Sequence, residues 1–145
     1  MRRSLPDVNL LIALVDPNHE FHQAAHDWFG PNRSNGWATC PTTENACLRI
    51  LSRPAYTYSG ITITAVRDIL AEFTAAGDHE FWPDSVSLLN PHKIVLAGTV
   101  PKNLTDIYLL HLAVVQGGCL VTFDRGISLQ SVIGSVTQNL HILSA

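Results

Sequence analysis

Apolar residues occur along the chain both in short runs and in longer segments of helical period, and the two kinds of segment alternate. Short runs bounded by turn residues predict strands. The predicted strands cover residues 3–7, 37–39, 80–82, 118–124 and 140–143. The second and third of these carry the weaker strand signals.

The longer segments predict five helices. They cover residues 8–16, 20–29, 41–53, 64–77 and 104–116. The fourth is the best defined, because its apolar residues fall at i, i+3, i+4 and i+7. These residues are Val66, Ile69, Leu70 and Phe73. The fifth is almost continuously apolar and is therefore predicted to be buried.

Helices that alternate with strands favour an α/β fold. The predicted architecture is an α/β/α sandwich, in which helices flank a central, mostly parallel sheet of four to five strands. The 145 residues, of which 46% are hydrophobic, suit one domain, residues 1–145. Gly30-Pro31 is predicted to end the second helix. Residues 83–103 receive no predicted element, because prolines interrupt every pattern there.

Four acidic residues occupy equivalent positions in this pattern. Asp7 and Asp124 follow predicted strands, while Glu44 and Asp106 lie in the first turns of predicted helices. In a parallel sheet, the carboxyl ends of the strands and the starts of the following helices share one edge, where ligands bind. We therefore expect the four carboxylates to converge on that edge.

Four clustered carboxylates repel one another, and this repulsion indicates that the site binds a cation. Glu44 and Asp106, taken singly, are also explained by the helix dipole. Two carboxylates about 4 Å apart repel by roughly 4 kcal/mol at an effective dielectric of 20, and a divalent cation removes this repulsion. Oxygen ligands suit Mg²⁺ or Mn²⁺ rather than zinc. The predicted chemistry is metal-assisted hydrolysis of a phosphodiester.

Neighbouring residues supply candidates for supporting roles. Asn9 and Thr122 each lie two residues from a predicted ligand and can orient a carboxylate or a water, although strand packing and turn hydrogen bonds explain them equally well. Arg49, Arg53 and Arg125 lie near predicted ligands and are candidate phosphate contacts, with a surface charge as the alternative.

The charge and cysteine content narrow the class of protein. A net charge of -3 argues against a general nucleic-acid coat protein, which is normally basic. If four of the twelve acids are ligands, the remaining eight face nine Lys and Arg residues, so a local basic patch remains possible. Three cysteines without Cys-x-x-Cys spacing indicate neither a disulfide framework nor a zinc cluster. Since no apolar run approaches the roughly 18 to 20 residues of a membrane span, we expect a soluble cytoplasmic protein.

Two other groups of residues have a functional and a structural interpretation. His22 and His26 have a spacing that can bind zinc, but His-Glu-x-x-His is absent, and a solvated helix face is favoured. Tyr56 and Tyr58 lie in a predicted loop, where they could stack on a base.

Four sequence motifs surround the predicted acids in a fixed order. They are Leu5-Pro6-Asp7-Val8-Asn9 before an apolar helix, Glu44 before Leu48-Arg49-Ile50-Leu51, Leu104-Thr105-Asp106 before Tyr108-Leu109, and Val121-Thr122-Phe123-Asp124-Arg125. Together they span nearly the whole chain, and they resemble PIN-domain ribonucleases, in particular the VapC-type toxins of bacterial toxin–antitoxin pairs.

The resemblance implies a PIN-like fold and a Mg²⁺- or Mn²⁺-dependent endoribonuclease. It also implies a homodimer that is inhibited by a cognate VapB-type antitoxin. Its acidic site would consist of Asp7, Glu44, Asp106 and Asp124. Some relatives carry a further acid after the Asp124 position, whereas residues 125–128 contain none, which leaves the number of metal ions open.

A catalytically silent PIN-like module that binds RNA or protein and holds a structural metal is the alternative function. The four intact acids argue against it. Two phosphotransfer folds with acids at strand ends are also disfavoured. A haloacid-dehalogenase-type phosphatase requires an acid where Asn9 stands, and a receiver domain requires a lysine at a late strand end, whereas Lys93 and Lys102 both come too early.

Overall fold

Five short strands form one parallel sheet in the computed structural model of the protein, which describes residues 2–54, 56 and 61–144. Their order across the sheet is β3-β2-β1-β4-β5, and every neighbouring pair is parallel. They are β1 (Ser4–Pro6), β2 (Trp37–Thr39), β3 (His79–Phe81), β4 (Cys119–Thr122) and β5 (Leu140–Ile142). The predicted mostly parallel sheet of four to five strands is confirmed.

Helices cover both faces of this sheet, as predicted. They are α1 (Val8–Val15), α2 (His22–Asn32), α3 (Pro41–Leu51), α4 (Ile63–Ala75) and α5 (Leu104–Gln116). The first four contribute buried residues to one core, and α5 contributes to the other. Among the described residues, no helix is both long enough and apolar enough to cross a membrane.

Alternation of side chains along the strands divides the sheet between the two cores. Trp37 and Val121 pack on the side of α1 to α4. Their chain neighbours Ala38 and Leu120 pack on the side of α5. Because successive side chains in a strand point to opposite faces, a residue's position in its strand decides which core it joins.

Two glycines control how α5 passes into β4. Gly117 has a φ of +70°, the left-handed conformation in which helices commonly end. Gly118 is required for a different reason. A Cβ atom at this position would lie 2.5 Å from Cη2 of Trp82 and 2.7 Å from the backbone oxygen of Arg3. Arg3 accepts a hydrogen bond from the amide of Cys119, so the backbone there is fixed.

We expect Gly118→Ala to lower the free energy of unfolding by about 1–3 kcal/mol, because the added methyl group overpacks a buried junction. Gly77→Ala is the matched control, since no atom outside its chain neighbours lies within 4 Å of a Cβ there. That exchange is expected to be stabilising by about 0.4–1 kcal/mol, because it reduces the conformational freedom of the unfolded chain. Urea denaturation of both variants measures the difference, and equal midpoints would contradict the packing explanation.

The prediction that Gly30-Pro31 ends the second helix is wrong, because α2 continues to Asn32 with Pro31 inside it. A proline at position 31 removes the amide that would bond to the carbonyl of Asp27. Asp27 is exposed, so that carbonyl remains accessible to water. The neighbouring carbonyl of Trp28 accepts a hydrogen bond from the side chain of Asn32 at 2.7 Å.

The histidine pair on α2 has a structural role. One ring nitrogen of His22 lies 2.7 Å from the carbonyl oxygen of Ala13, and one of His26 lies 2.8 Å from that of Leu14. These carbonyls belong to the last turn of α1, where helix carbonyls have no partner within the helix. Both histidines are half-buried. The interpretation as a solvated helix face is therefore wrong, since the two rings cap α1.

Residues 83–103, for which no element was predicted, are attached to the segment after β4. Ile94 forms an antiparallel bridge with Val132. The amide of Val95 donates to the carbonyl of Ser131 at 2.9 Å, and the amide of Ile133 donates to that of Lys93 at 2.8 Å. A 3-10 turn, Pro101–Asn103, then leads directly into α5. These tertiary contacts, rather than a local pattern, define the segment.

Candidate active site

Asp7 stands at the carboxyl end of β1 and also begins α1. Its Oδ1 accepts a hydrogen bond from the amide of Leu10 at 2.8 Å, which makes it the N-cap residue of the helix. Its Oδ2 accepts a hydrogen bond from the hydroxyl of Thr122. The side chain is buried, with 3% of the residue exposed. The same carboxylate therefore has a structural role and faces the carboxyl edge of the sheet.

Thr122 joins this carboxylate to the end of the neighbouring strand. It is the last residue of β4 and is fully buried. Its Oγ1 accepts a hydrogen bond from the amide of Asp124 at 2.9 Å while it donates to Asp7. The carboxylate of Asp124 accepts a hydrogen bond from the amide of Gly126 at 2.7 Å. One hydroxyl thus fixes the positions of two predicted ligands.

Asp106 completes a group of three aspartates from the side of α5. It lies half-buried in the first turn of that helix. Burial raises its pKa to about 7, and the nearby charges of Asp7 and Asp124 contribute to the rise. The pKa of Asp7 is also raised, mainly by burial and further by Asp124, although the bonds from Thr122 and Leu10 oppose the change. Because each of the three charges acts on another, the carboxylates lie near one another.

Glu44 lies in the first turn of α3, as predicted, but its described contacts do not include the three aspartates. Its Oε2 accepts a hydrogen bond from Thr39, whose hydroxyl is also 2.8 Å from Nε2 of His79. Thr39 points to the same side of the sheet as Trp37, whereas Thr122 points to the side of α5. Glu44 also lines a hollow between α3 and α4. The structure therefore brings together three of the four predicted acids.

Two cations lie beside Asp106. Arg49 and Lys102 line a hollow of about 210 Å³ together with Asp106 and Asn9. Neither cation forms an ion pair with the aspartates; the ion pairs found in the described part of the chain lie elsewhere. A hollow with two free cations next to carboxylates is suited to a phosphate group, which Lys and Arg bind by charge and hydrogen bonding.

Lys102 was not recognised as a site candidate from the sequence. It lies four residues before Asp106, but in a 3-10 turn outside the helix predicted at residues 104–116, so local spacing gave no usable signal. Of the three predicted phosphate contacts, Arg49 lies in the hollow and Arg125 is exposed beside Asp124. Arg53 is exposed at the end of α3 and does not line it.

Of the two predicted loop tyrosines, Tyr56 has a partner outside this site. It donates a hydrogen bond from its hydroxyl to Oδ2 of Asp16, the C-cap residue of α1, at 2.9 Å. Tyr58 lies outside the described residues, and base stacking by this residue stays a prediction.

The three aspartates suit a hard divalent cation by their chemistry, because all their donor atoms are carboxylate oxygens. Within residues 2–54, 56 and 61–144, however, no group of three or more His, Cys, Asp or Glu side chains is arranged to hold a metal ion. The two observations are compatible for Mg²⁺. This ion usually takes only one or two protein carboxylates and completes its shell with waters and substrate phosphates.

Comparison with known proteins identifies relatives that match along almost all of the chain. No family model matches the sequence. Ribonuclease VapC44 of Mycobacterium tuberculosis is 41% identical over 143 residues, which cover 97% of this chain and 99% of that protein. Ribonuclease VapC39 of the same species is 40% identical over 138 residues, covering 92% and 96%. Ribonuclease VapC38 is 40% identical over 124 residues, covering 86% of each.

The chain belongs to the VapC ribonuclease family. This membership confirms the resemblance that the four sequence motifs indicated, and the parallel sheet between two helical layers confirms the PIN-like fold. Membership of the family does not by itself assign roles to individual residues of this chain. Metal binding by Asp7, Glu44, Asp106 and Asp124 stays a prediction, as do the supporting roles of Asn9 and Thr122 and phosphate contact by Arg49, Arg53 and Arg125.

Proposed function

We propose that this VapC-family chain is a Mg²⁺- or Mn²⁺-dependent endoribonuclease and the toxin of a toxin–antitoxin pair. The observation that carries the proposal is the convergence of Asp7, Asp106 and Asp124 at the carboxyl edge of the sheet, beside two free cations. The relatives are named ribonucleases, which supports RNA as the substrate.

Asp7, Asp106 and Asp124 are the residues that would hold the metal ion. When bound, the ion would polarise the scissile phosphate and provide an activated water for its hydrolysis. Its positive charge would also offset the repulsion from Asp7 and Asp124, which adds to the effect of burial in raising the pKa of Asp106. Glu44 remains the predicted fourth ligand, but its carboxylate would have to leave Thr39 to take part.

The protein's own side chains would position the substrate and the carboxylates. Thr122 fixes the orientation of Asp7 and the backbone at Asp124, so that both carboxylates are in place before RNA binds. Arg49 and Lys102 would bind a phosphate of the RNA next to Asp106.

The negative charge of the three aspartates also suggests how an antitoxin would inhibit the toxin. A VapB-type antitoxin that places an Arg or Lys side chain among the three aspartates would compete with both metal and RNA. A structure of the complex without a basic side chain near Asp7 or Asp124 would contradict this mode of inhibition. We also propose that the chain acts in the cytoplasm as a homodimer, which sedimentation equilibrium of the purified protein would test.

The proposed activity is tested by incubating the purified protein, free of antitoxin, with total RNA and Mg²⁺ or Mn²⁺. We expect endonucleolytic fragments that disappear when EDTA removes the metal. Asp7→Asn is a better control than Asp7→Ala, because an amide oxygen still accepts the hydrogen bond that caps α1.

Two outcomes would contradict the proposal. Cleavage that persists in EDTA or in the Asp7→Asn variant would indicate a contaminating nuclease or a different site. Binding of RNA without cleavage under any metal condition would instead favour the catalytically silent binding module.

A further inference from the structure

A second cavity is lined by residues close in the chain to Asp106 and Asp124, and neither Arg49 nor Lys102 lines it. Its volume is about 210 Å³, and it is formed by residues 95–103 on one side and 126–131 on the other, with Ile107 between them. We call it the 95–131 cavity. None of the predicted ligands or phosphate contacts lines it.

Some residues that line the cavity also hold or neighbour the carboxylates in the chain. Gly126 lines it and also donates its amide hydrogen bond to Asp124. Asn103 lines it one helical turn before Asp106, and Ile107 is the next residue after Asp106. A group bound in this cavity would therefore contact backbone that also positions Asp106 and Asp124.

The walls of the cavity are held in place by hydrogen bonds. The bridge between Ile94 and Val132 and the bond from Val95 to Ser131 join the two segments that form it. The hydroxyl of Ser128 also accepts the amide hydrogen bond of Gln130, which fixes the turn that carries the Gln130 side chain. The cavity thus exists before any ligand binds.

Its lining is polar but uncharged. The described lining residues include two side-chain amides, Asn103 and Gln130, and three hydroxyls, but none carries a formal charge. Neither amide is hydrogen-bonded to another side chain of the described residues. Ile107, which is 3% exposed, contributes an apolar surface between them. Cations are the usual side-chain ligands of phosphate, whereas this lining offers amides and hydroxyls, which suit the hydrogen-bonding edge of a polar ring.

We propose that the 95–131 cavity binds one nucleobase of the RNA substrate and that Asn103 and Gln130 read its hydrogen-bonding edge. Side-chain amides carry both a donor and an acceptor, the combination that base edges present. Proteins recognise RNA sequence mostly through unstacked bases that enter such pockets. The volume is below the roughly 300–1,000 Å³ of pockets for drug-sized ligands, which limits the occupant to about one base.

This inference rests on the proposed function for its substrate, and its test does not depend on cleavage. Full-length ¹⁵N-labelled protein in EDTA is titrated with the four nucleoside 5′-monophosphates and with ribose 5-phosphate. We expect at least one nucleotide to shift the amide signals of Gly126, Ser128 and Gln130, whereas ribose 5-phosphate leaves them in place. Absence of base-dependent shifts at these amides would overturn the inference.

Substitution of the two amides identifies the residues that read the base. Asn103→Ala and Gln130→Ala are each expected to weaken binding of the preferred nucleotide by at least about 5-fold, the loss expected for one good base contact. Gln138→Ala is the matched control, because Gln138 is an exposed amide that lines a different cavity, near Arg2 and His141. Equal affinities for all three variants and the wild type would overturn the assignment.

Cleavage of a random-sequence RNA pool separates failure of the inference from failure of the proposed function. If the wild type cleaves, the Asn103→Ala and Gln130→Ala variants should show a relaxed base preference beside the cleavage site, while Gln138→Ala should not. Unchanged preference in all variants would contradict base reading by this cavity. Absence of cleavage by the wild type would contradict the ribonuclease function, and the titration would still decide whether the cavity binds a base.

Discussion

Asp106→Asn is expected to reduce the rate of RNA cleavage by at least about 100-fold, because the loss of an aligned charged group at such a site typically costs that much or more. Asp106 lies next to both the other aspartates and the cations Arg49 and Lys102. The exchange removes a negative charge but keeps the shape of the side chain. Cleavage of a defined RNA by purified protein in Mg²⁺ or Mn²⁺ measures the effect.

Asp68→Asn is the matched control for this variant. Asp68 lies on α4, is exposed and, among the described residues, pairs only with its neighbour Arg67. We expect the control to cleave at the wild-type rate. In cells, induced wild-type protein should arrest growth, Asp68→Asn should do the same, and Asp106→Asn should not. Growth arrest by all three would show that toxicity does not depend on the aspartates and would favour a binding function.

The stability of the metal-free protein is expected to fall as the pH rises from 5 to 8, compared with the Asp106→Asn variant. Asp106 has a folded-state pKa of about 7, whereas its ordinary value is 3.8. The folded protein therefore binds this proton more tightly than the unfolded chain does. The stabilisation is fully present below about pH 4 and is lost as the pH rises through 7.

The difference in melting temperature between the wild type and Asp106→Asn isolates the contribution of the Asp106 carboxyl group. His79 and His111 have lowered pKa values, so their protonation at low pH opposes folding in both proteins and cancels in the comparison. The wild type should melt close to the variant at pH 4 and at least about 3 °C below it at pH 8. Partial exposure of Asp106 limits the size of this effect. Thermal melts in EDTA at both pH values provide the measurement.

Adding Mg²⁺ or Mn²⁺ at pH 8 tests whether a metal ion relieves the repulsion among the three aspartates. We expect the ion to raise the melting temperature of the wild type more than that of Asp106→Asn, because binding to the folded state stabilises it. An equal increase in both proteins would show that the ion binds elsewhere. A difference between the proteins that does not change with pH would contradict the interaction among Asp7, Asp106 and Asp124.

Glu44 shows how a sequence pattern can place a residue correctly and still leave its side chain undetermined. Its position in the first turn of α3 follows from Pro41 at the helix start, and the structure agrees. The direction of the carboxylate depends on the rotation of α3 and on a partner, Thr39, that lies on the opposite face of the sheet from Thr122. Neither is encoded in the local pattern.

The histidine pair and Pro31 illustrate the same limit. Helical spacing placed His22 and His26 on one face of α2, but only the packing of α2 against the end of α1 brought them to its free carbonyls. Pro31 is usually a helix terminator, yet it lies inside α2, where the carbonyl that loses its donor belongs to an exposed residue.

The sequence by itself determined the order of the strands and helices, the parallel sheet, and the place of three aspartates at its carboxyl edge. These features follow from local periodicity and from the geometry of parallel sheets, which needs no knowledge of distant contacts. The four motifs also determined the VapC family.

Only the tertiary structure decided which side chains meet at the site. The contact from Thr122 to Asp7 spans 115 residues, and the 95–131 cavity is formed where a segment without local pattern pairs with the chain after β4. Lys102 likewise became a site residue only when α3 and α5 were placed beside each other. Contacts between residues far apart in sequence depend on how whole elements pack, and no local pattern records that packing.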